Sequence, residues 1–313
     1  MSRIAIIGAG SVGATFAYSL MISGLAEEIV LIDRNQAKAE AEVMDLNHGQ
    51  PFVKPLKIWA GSYVDCRVAD IVVITAGAKQ KPQETRLALV DRNVLIVKDI
   101  VTQVTGAGFS GIFLMVSNPV DVLTYFTWKF SGFDRQKVIG SGTVLDSARF
   151  RQLLAEHCKV ASQSVHAYII GEHGDSEVPA WSLTNIAGIK MKEFCPLCQN
   201  KGCNNREAMN EIFKQVTLAA YKIIEAKGAT YYAIGLALVT IVQAILRNEN
   251  RVMPVSSVLT DFYGISDLAL SVPTIVNSAG ADKILEVPLA EAEIAALQSS
   301  ARILKESISA VKA

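Results

Sequence analysis

A glycine-rich turn near the N-terminus constrains the fold of this chain more strongly than any other feature. The segment "IAIIGAGSVGA" carries Gly8, Gly10 and Gly13 directly after an apolar, strand-like run and at the start of a helix-like run. Glycines in this G-x-G-x-x-G spacing permit a tight turn, a close approach of the backbone to a pyrophosphate, and close packing of the helix on the strand. The spacing predicts a strand–turn–helix unit that binds a dinucleotide.

The next strand-like run, "EIVLID", ends in an acidic residue at the distance from the glycines that such a unit requires. The carboxylate of Asp33 can accept hydrogen bonds from the adenosine ribose hydroxyls, and it would repel a 2′-phosphate. We therefore expect NAD rather than NADP as the cofactor, although Arg34 stands beside it. The alternative is an aspartate that only caps the end of the strand.

Apolar, β-branched runs alternate with helical patterns through the first half of the chain. Near-continuous apolar strands that alternate with helices indicate a parallel sheet covered on both faces. From about residue 142 the pattern changes to longer helices around the strand-like run "SVHAYII". We predict an α/β fold with a Rossmann-type doubly wound parallel sheet over 1–141 and a second, α+β substrate domain over 142–313.

The composition of the 313 residues bears on assembly and on partners. Charged residues make up 19% of the chain, below the share of about 25% that is usual for soluble proteins. A deficit of charge favours burial against other subunits, so we expect an oligomer. The formal net charge is zero, with 30 basic and 30 acidic residues, which argues against a nucleic-acid or membrane-surface binder.

Two segments bear on export and on membranes. The N-terminal "MSRIAIIGAG" passes directly into a strand without the long apolar stretch of an export signal, so we expect a cytoplasmic protein. Residues 228–246 carry no formal charge over a length that could span a membrane. They also contain two threonines, two tyrosines and a glutamine, so we expect a helix buried inside the protein and no membrane partner.

Three of the five cysteines, Cys195, Cys198 and Cys203, lie close together in "CPLCQNKGC". The first pair has the spacing of zinc ligands, but a structural zinc site needs four ligands and no fourth is nearby. We expect a loop with free thiols in a reduced compartment, and no metal site.

A second set of polar residues points to chemistry beyond cofactor binding. His173 is one of only four histidines, and it stands among glycines and acids in "AYIIGEHGDSEVPAWS". Asp146 and Arg149 are three residues apart in "TVLDSARFR", so on a helix they share one face. Asn118 follows the apolar run "GIFLM", and ligands bind at the carboxyl ends of strands in such sheets. Because histidine exchanges protons near neutral pH, we expect His173 to act as acid and base, with Asp146 as its orienting carboxylate.

Six segments together resemble the L-lactate and malate dehydrogenase family over essentially the full chain: "GAGSVGA", "AGAKQKPQETRLALVDRN", "SNPVD", "GSGTVLDSARFR", "GEHGDSEVPAWS" and "KGATYYAIG". The resemblance implies an NAD-dependent oxidoreductase that transfers a hydride between a 2-oxo acid and a 2-hydroxy acid, in fermentation after glycolysis. By that resemblance His173 exchanges the proton and Asp146 is its partner. Arg149 would hold the substrate carboxylate through a two-pronged pair, and Arg86, on a closing loop, would polarise the reacting carbonyl.

The resemblance also implies how the ligands are bound. Asn118 would hydrogen-bond near the substrate oxygen and the nicotinamide, while Thr230 and Ile234 would line the pocket. The residues expected to contact NAD are Gly8, Gly10, Val12, Gly13, Asp33, Asn118 and Ile234.

Within this family the residue six positions before the loop arginine tends to select the substrate, and here it is Gln80. A malate enzyme usually has arginine there, whereas glutamine offers no positive charge to the second carboxylate of oxaloacetate. We expect pyruvate and L-lactate as substrates, with malate and other L-2-hydroxy acids as alternatives. Lys79 and Lys81 could present a charge from a shifted loop, and Gln83 stands where many relatives have glycine.

The resemblance further implies regulation and assembly. Bacterial enzymes of this kind are often activated by fructose 1,6-bisphosphate at a subunit interface, and Arg151 and His166 resemble the residues that bind it. Cations that face their symmetry mates repel each other, and a bisphosphate relieves that repulsion in a homotetramer or dimer. The alternatives are an interface arginine and histidine without a ligand and, for the whole chain, a non-catalytic NAD-binding protein on the same fold.

Overall fold

Strands and helices alternate through the first half of the chain. The computed structural model describes residues 2–78, 86–194 and 206–312, with only the backbone of residues 86, 192 and 206. The elements of the first half are β1 (Arg3–Ile7), α1 (Ser11–Ser23), β2 (Glu28–Ile32), α2 (Gln36–His48), β3 (Lys57–Ala60), β4 (Ile71–Ile74), α3 (Arg86–Gly106), β5 (Ile112–Met115), α4 (Val120–Ser131) and β6 (Val138–Gly140).

The second half combines short strands and long helices with a long antiparallel hairpin. Its elements are α5 (Val144–Cys158), β7 (Val165–His166), β8 (Ile169–Ile170), β9 (Val178–Pro179), β10 (Asn185–Ile186), β11 (Ile189–Lys190), α6 (Met191–Phe194), α7 (Arg206–Lys227), α8 (Tyr232–Leu246), β12 (Arg251–Phe262), β13 (Ile265–Asn277), β14 (Gly280–Ile284) and α9 (Glu291–Ser309).

The strands of the first half form a parallel sheet in the order β3–β2–β1–β4–β5–β6. The central strands β1, β2, β4 and β5 are buried over nearly their whole length, as a sheet covered by helices on both faces requires. The strand order reverses between β1 and β4, and ligands bind in the crevice that such a reversal opens at the carboxyl ends of the strands. The Rossmann-type parallel sheet predicted from the sequence is confirmed.

Three strands of the second half join this same sheet, which the sequence did not indicate. β12 and β13 form the hairpin, β14 continues from it, and β12 pairs with β6 through Ser256 and Gly140. The result is a nine-stranded sheet in the order β14–β13–β12–β6–β5–β4–β1–β2–β3. Glycine permits the close approach at β6, because a Cβ on Gly140 would lie 2.7 Å from the Cβ of Ser256.

The run "SVHAYII", predicted as one strand, is two short strands with different partners, so that prediction was wrong. β7 pairs with β10 in a three-stranded sheet, whereas β8 pairs with β9 in a separate two-stranded sheet. The change of partner falls at Ala167 and Tyr168, where the N–H of Ala180 donates to the carbonyl of Tyr168 at 2.9 Å. The chain after β8 then reaches the long hairpin, where Gly171 pairs with Ser271.

The uncharged segment 228–246 contains α8, which packs along α1. Gly235 permits this contact, because a Cβ there would lie 3.1 Å from Cγ2 of Thr15. The opposite side of α8 is open, with Tyr232 67% and Leu236 63% exposed, so the predicted buried helix is buried along one face only. Within the described ranges, no helix combines the length and the hydropathy needed to cross a membrane.

The glycine turn between β1 and α1 has no room for side chains at two of its three glycines. Gly8 has φ +113°, and a Cβ on it would lie 2.6 Å from the backbone nitrogen of Ala76. A Cβ on Gly13 would lie 1.9 Å from the carbonyl oxygen of Gly8, whereas Gly10 has nothing within 4 Å. The first and third glycines therefore serve folding, and the second leaves space for a ligand.

Replacing Gly13 by alanine should destabilise the fold, because the added methyl group overlaps the carbonyl of Gly8. We expect the free energy of unfolding to fall by about 1–3 kcal/mol, the usual cost of overpacking, as measured by chemical denaturation. Gly10→Ala is the matched control and should unfold at the same denaturant concentration as the wild type. Equal midpoints for the two variants would contradict this account of the turn.

Candidate active site

The crevice at the carboxyl ends of β1 and β4 offers the groups that bind a dinucleotide. Gly10 directly precedes helix α1 and provides no side-chain cap, so the N–H groups of the first helical turn remain available to an anion. Thr75 fixes the turn from the neighbouring strand, since its Oγ1 donates to the carbonyl of Gly8 at 2.9 Å. The open space over Gly10 leaves room for a pyrophosphate to approach the start of α1.

Asp33 lies directly after β2, beside the glycine turn. Its Oδ2 accepts a hydrogen bond from the N–H of Ala9 at 2.7 Å, and its Oδ1 accepts one from the N–H of Asn35 at 2.9 Å. The carboxylate thus caps the backbone, as the alternative interpretation held. Each carboxylate oxygen can accept a further hydrogen bond, so these contacts position Asp33 and leave it acceptor capacity for ribose hydroxyls.

Two asparagines connect this crevice to the next strand of the sheet. Asn118 follows β5 and precedes a cis peptide bond to Pro119. Its Oδ1 accepts from the N–H of Val120 at 3.2 Å, and its amide nitrogen makes no hydrogen bond with the described residues. Asn93, buried on α3, accepts from the N–H of Ala78 at 2.8 Å and donates to the carbonyl of Asn118 at 3.0 Å. Asn93 was not predicted, because its partners are distant along the chain.

A histidine, an aspartate and an arginine make direct contact beyond β6. On α5, Nη1 of Arg149 donates to Oδ1 of Asp146 at 2.7 Å. Oδ2 of the same carboxylate lies 2.5 Å from Nδ1 of His173. The side chains of Asp146, Arg149 and His173 are 4%, 14% and 26% exposed. One buried carboxylate therefore bridges both basic groups, and Nε2 of His173 has no hydrogen-bond partner among the described residues.

The charges of this cluster reinforce one another. Burial opposes a charge on His173, but the adjacent Asp146 carboxylate outweighs that effect, with Asp121 and Glu177 acting in the same direction, and the pKa of His173 is raised to about 9. Burial also opposes a charge on Asp146, yet the contacts with His173 and Arg149 hold the pKa of Asp146 below its ordinary value. At neutral pH the pair is therefore an imidazolium and a carboxylate.

A further buried carboxylate, Asp121 in the first turn of α4, holds the loop that carries His173. Its Oδ2 accepts the backbone N–H of His173 at 2.8 Å, and its Oδ1 accepts the hydroxyl of Ser256 at 2.6 Å. Burial raises the pKa of Asp121 to about 6, and the bonds from Ser256 and His173 partly offset this effect. Asp121 was not predicted as a site residue, although an acid at the apolar helix start that follows "SNP" was an available signal.

The other predicted residues are distributed around the two sites. Thr230 precedes α8, and Ile234 on α8 packs with Val12 against the core that contains β1 and α1. The backbone of Arg86 begins α3, whereas Gln80 lies outside the described residues. Lys79, Lys81, Gln83, Cys195, Cys198 and Cys203 also lie outside the described residues.

Arg151 and His166 are not brought to the His173 cluster. They line a separate cavity of 510 Å³ between α5, β7, α8 and the start of β12. The structure therefore separates the residues into a cofactor crevice, a His–Asp–Arg cluster and a second, basic cavity.

The His–Asp–Arg cluster combines two functions in one place. Its guanidinium can pair with an anionic group of a ligand, and its imidazolium can exchange a proton through Nε2. Asn118, at the carboxyl end of β5, lies at the edge of the sheet where the dinucleotide crevice opens. The arrangement suits proton exchange on a small anionic ligand beside a bound dinucleotide.

Models of two domains of one protein family together match nearly the whole chain. The lactate/malate dehydrogenase NAD binding domain matches residues 2–140. The lactate/malate dehydrogenase alpha/beta C-terminal domain matches residues 143–313.

Similar proteins match over the full length as well. The chain is 56% identical over 308 residues to the L-lactate dehydrogenase of Acetivibrio thermocellus. The aligned residues cover 98% of this chain and 96% of that relative. It is 52% identical over 310 residues to the L-lactate dehydrogenase of Geobacillus sp. (strain WCH70), with coverage of 99% and 96%. Among solved structures, the minor L-lactate dehydrogenase from Enterococcus mundtii in the ligands-bound form matches with a TM-score of 0.96 at 42% identity, over 99% of this chain and 98% of that chain.

Replacing Asp146 by asparagine should lower the pKa of His173 from about 9 to its ordinary value of 6.5 or below, since burial then acts without the adjacent carboxylate. Titration of the imidazole NMR resonances measures this change, with the exposed and remote His48 as internal reference. Because the folded-state pKa is raised, the ion pair stabilises the fold fully below pH 6.5, and this stabilisation is lost as the pH rises through about 9. A pKa that stayed at about 9 in the variant would exclude Asp146 as the cause.

Proposed function

The chain belongs to the lactate/malate dehydrogenase family, and from this premise we propose that it is an NAD-dependent L-lactate dehydrogenase. It would interconvert pyruvate and NADH with L-lactate and NAD, and so regenerate NAD in fermentation. The observation that carries this proposal is the Asp146 carboxylate, which lies 2.5 Å from Nδ1 of His173 and 2.7 Å from Nη1 of Arg149. A proton donor and a carboxylate binder held by one buried group suit the reduction of a 2-oxo acid.

The residues of the crevice fit NAD. Gly10 has open space above it, α1 lacks a side-chain cap, and Asp33 retains acceptor capacity beside the turn. When bound, the cofactor supplies the hydride that reduces the substrate carbonyl. The residues that would hold it are Gly8, Gly10, Val12, Gly13, Asp33, Asn118 and Ile234. We propose that residues 1–141 form this NAD-binding domain and that residues 142–313 supply the substrate and catalytic groups.

His173 would carry the proton part of the reaction. Its pKa of about 9 keeps Nε2 protonated at neutral pH, so it can donate a proton to the carbonyl oxygen as negative charge develops there. Asp146 holds Nδ1, fixes the orientation of the ring and stabilises the imidazolium. In the reverse direction the neutral ring accepts the hydroxyl proton of lactate.

Two arginines and an asparagine would hold the substrate. Arg149 is fixed by Asp146 through Nη1 and pairs with the substrate carboxylate through its remaining N–H groups. Arg86, at the first residue of α3, would polarise the carbonyl and help to exclude water when its loop closes. The amide nitrogen of Asn118 would donate near the substrate oxygen.

The choice between substrates is assigned to Gln80. An uncharged glutamine gives the second carboxylate of oxaloacetate no partner, so its desolvation is not offset. Thr230 before α8 suits a small pocket. Pyruvate is therefore the proposed substrate, and malate or another L-2-hydroxy acid is the second candidate.

Steady-state oxidation of NADH with pyruvate and with oxaloacetate tests the proposed function. We expect kcat/KM to favour pyruvate by about tenfold or more, and His173→Asn to abolish most of the activity while NADH still binds. A preference for oxaloacetate would favour the malate alternative. Full activity in His173→Asn would instead revive a non-catalytic NAD-binding protein and overturn the proton-transfer assignment.

We propose that the second cavity is an allosteric site for fructose 1,6-bisphosphate. Arg151 and His166 both line it, and Arg251 adds a third basic side chain. Nε of Arg151 is buried without a hydrogen-bond partner among the described residues, and its Nη2 donates to the carbonyl of Ser162 at 3.3 Å. A bisphosphate would pair with these basic groups.

The surroundings of this cavity support assembly into a homo-oligomer, which we propose to be a tetramer. Leu236 lines the cavity and is also part of the exposed apolar side of α8. Tyr232 on α8, together with Tyr18 and Ile22 on the neighbouring α1, extends that exposed apolar surface. Such a surface favours burial against another subunit. A cytoplasmic location is also proposed, since the buried Cys66 is a free thiol.

Millimolar fructose 1,6-bisphosphate should lower the KM for pyruvate and increase the mass measured by light scattering. Arg151→Gln should lose both responses, because the cavity then lacks a phosphate partner. Arg302→Gln, an exposed arginine on α9 outside the cavity, is the matched control and should keep both. Kinetics and mass that do not change with the bisphosphate would remove the allosteric proposal without affecting the catalytic one.

A further inference from the structure

We propose that Glu177 is a proton-carrying positioning residue: its uncharged form keeps the His173–Asp146–Arg149 cluster able to bind an anionic substrate, and its ionisation makes the cluster inactive. This inference rests on the proposed function, and it assigns a role to a residue that the sequence analysis did not single out. It is supported by the burial of Glu177, by an Oε1 atom without a hydrogen-bond partner among the described residues, and by the charges around the side chain.

Glu177 belongs to the loop between β8 and β9 that also carries His173. Its backbone N–H donates to the carbonyl of Gly174 at 3.2 Å, which turns the loop back on itself. The residue is 7% exposed, and Oε1 is buried without a hydrogen-bond partner among the described residues. A carboxylate there would be an incompletely paired buried charge, so these surroundings favour the neutral acid.

The neighbouring groups act on Glu177 in both directions. Burial opposes its ionisation most strongly, followed by repulsion from the Asp146 carboxylate, with a smaller contribution from Asp175. His173 and Arg149 act in the opposite direction. The balance raises the pKa of Glu177 to about 8, so the side chain keeps its proton at neutral pH and loses it in mildly alkaline solution.

The protonation state of Glu177 decides the charge balance of the site. The positive charges of His173 and Arg149 face the carboxylates of Asp146, Asp121 and Asp175, and ionisation of Glu177 adds one more negative charge. The added charge opposes the approach of an anionic 2-oxo acid. By linkage, a bound substrate carboxylate holds the proton on Glu177, so substrate binding and protonation support each other.

Glu177→Gln keeps the shape of the side chain and removes its ionisation. At neutral pH the variant should retain kcat/KM for pyruvate within about twofold, because a neutral group replaces a neutral group. Above the pKa of His173, at about 9, wild-type kcat/KM should fall about 100-fold per pH unit, since both Glu177 and His173 have lost protons. The variant should fall only about tenfold per pH unit, since His173 alone titrates.

Glu293→Gln is the matched control. Glu293 is also a buried glutamate, but its carboxylate accepts the backbone N–H groups of Ser182 and Ala290 at 2.9 Å, at the start of α9. In this variant kcat/KM should still fall about 100-fold per pH unit above about pH 9, as in the wild type. If the alkaline fall of kcat/KM changed equally in Glu293→Gln and Glu177→Gln, it would reflect a general effect of removing a buried acid. That result would overturn the proposal.

Infrared spectroscopy reads the proton on Glu177 without relying on catalysis. The difference spectrum between wild type and Glu177→Gln at neutral pH should contain the C=O stretching band of a protonated carboxylic acid, and that band should disappear with a midpoint at about pH 8. The proposal is overturned if the band is absent at neutral pH. It is also overturned if wild-type kcat/KM falls only about tenfold per pH unit above about pH 9. If pyruvate is not reduced at all, the proposed function fails, whereas the band still decides the state of Glu177. If Glu177→Gln does not fold, a wild-type kcat/KM that falls only about tenfold per pH unit above about pH 9 still overturns the proposal.

Discussion

The carboxylate of Asp146 is the group on which the rest of the site depends. It is buried, and each oxygen contacts a basic group from a different element: Arg149 on α5 and His173 on the loop after β8. Removing either partner would leave a buried charge incompletely paired, so the loss of one group destabilises the other two. Two side chains at the start of α5 fix this helix to β8. Thr143 Oγ1 donates to the carbonyl of Ile169 at 2.5 Å, and Ser147 Oγ accepts the N–H of Ile169 at 2.8 Å.

The sheet determines where this cluster lies relative to the dinucleotide crevice. The buried parallel strands end at one edge, and the glycine turn and Asn118 both follow strands that end there. The long hairpin of the second half then extends the same sheet and fixes the loop of His173 from the other side. Asp121 makes that connection, because its two oxygens accept the hydroxyl of Ser256 on β12 and the N–H of His173.

Features encoded within a few residues could be predicted from the sequence, whereas features built from distant segments could not. The glycine turn follows from local spacing, and so does the shared face of Asp146 and Arg149. The addition of β12–β14 to the sheet depends on pairing between strands far apart in the chain, which no local periodicity encodes. The same holds for Asp121, whose partner Ser256 is 135 residues away, and for Glu177, whose proposed role depends on the groups around it. The proposed role of Gln80 in substrate selection rests on the resemblance to the family.

Steady-state kinetics of Asp146→Asn with pyruvate test the central claim most directly. One substitution releases both His173 and Arg149, so the account predicts that kcat falls and KM rises together, each by about tenfold or more. Arg149→Lys, which removes only the two-pronged pair, should act mainly on KM. A change in Asp146→Asn that was confined to kcat, with KM unaltered, would contradict the claim that one buried carboxylate organises both proton transfer and substrate binding.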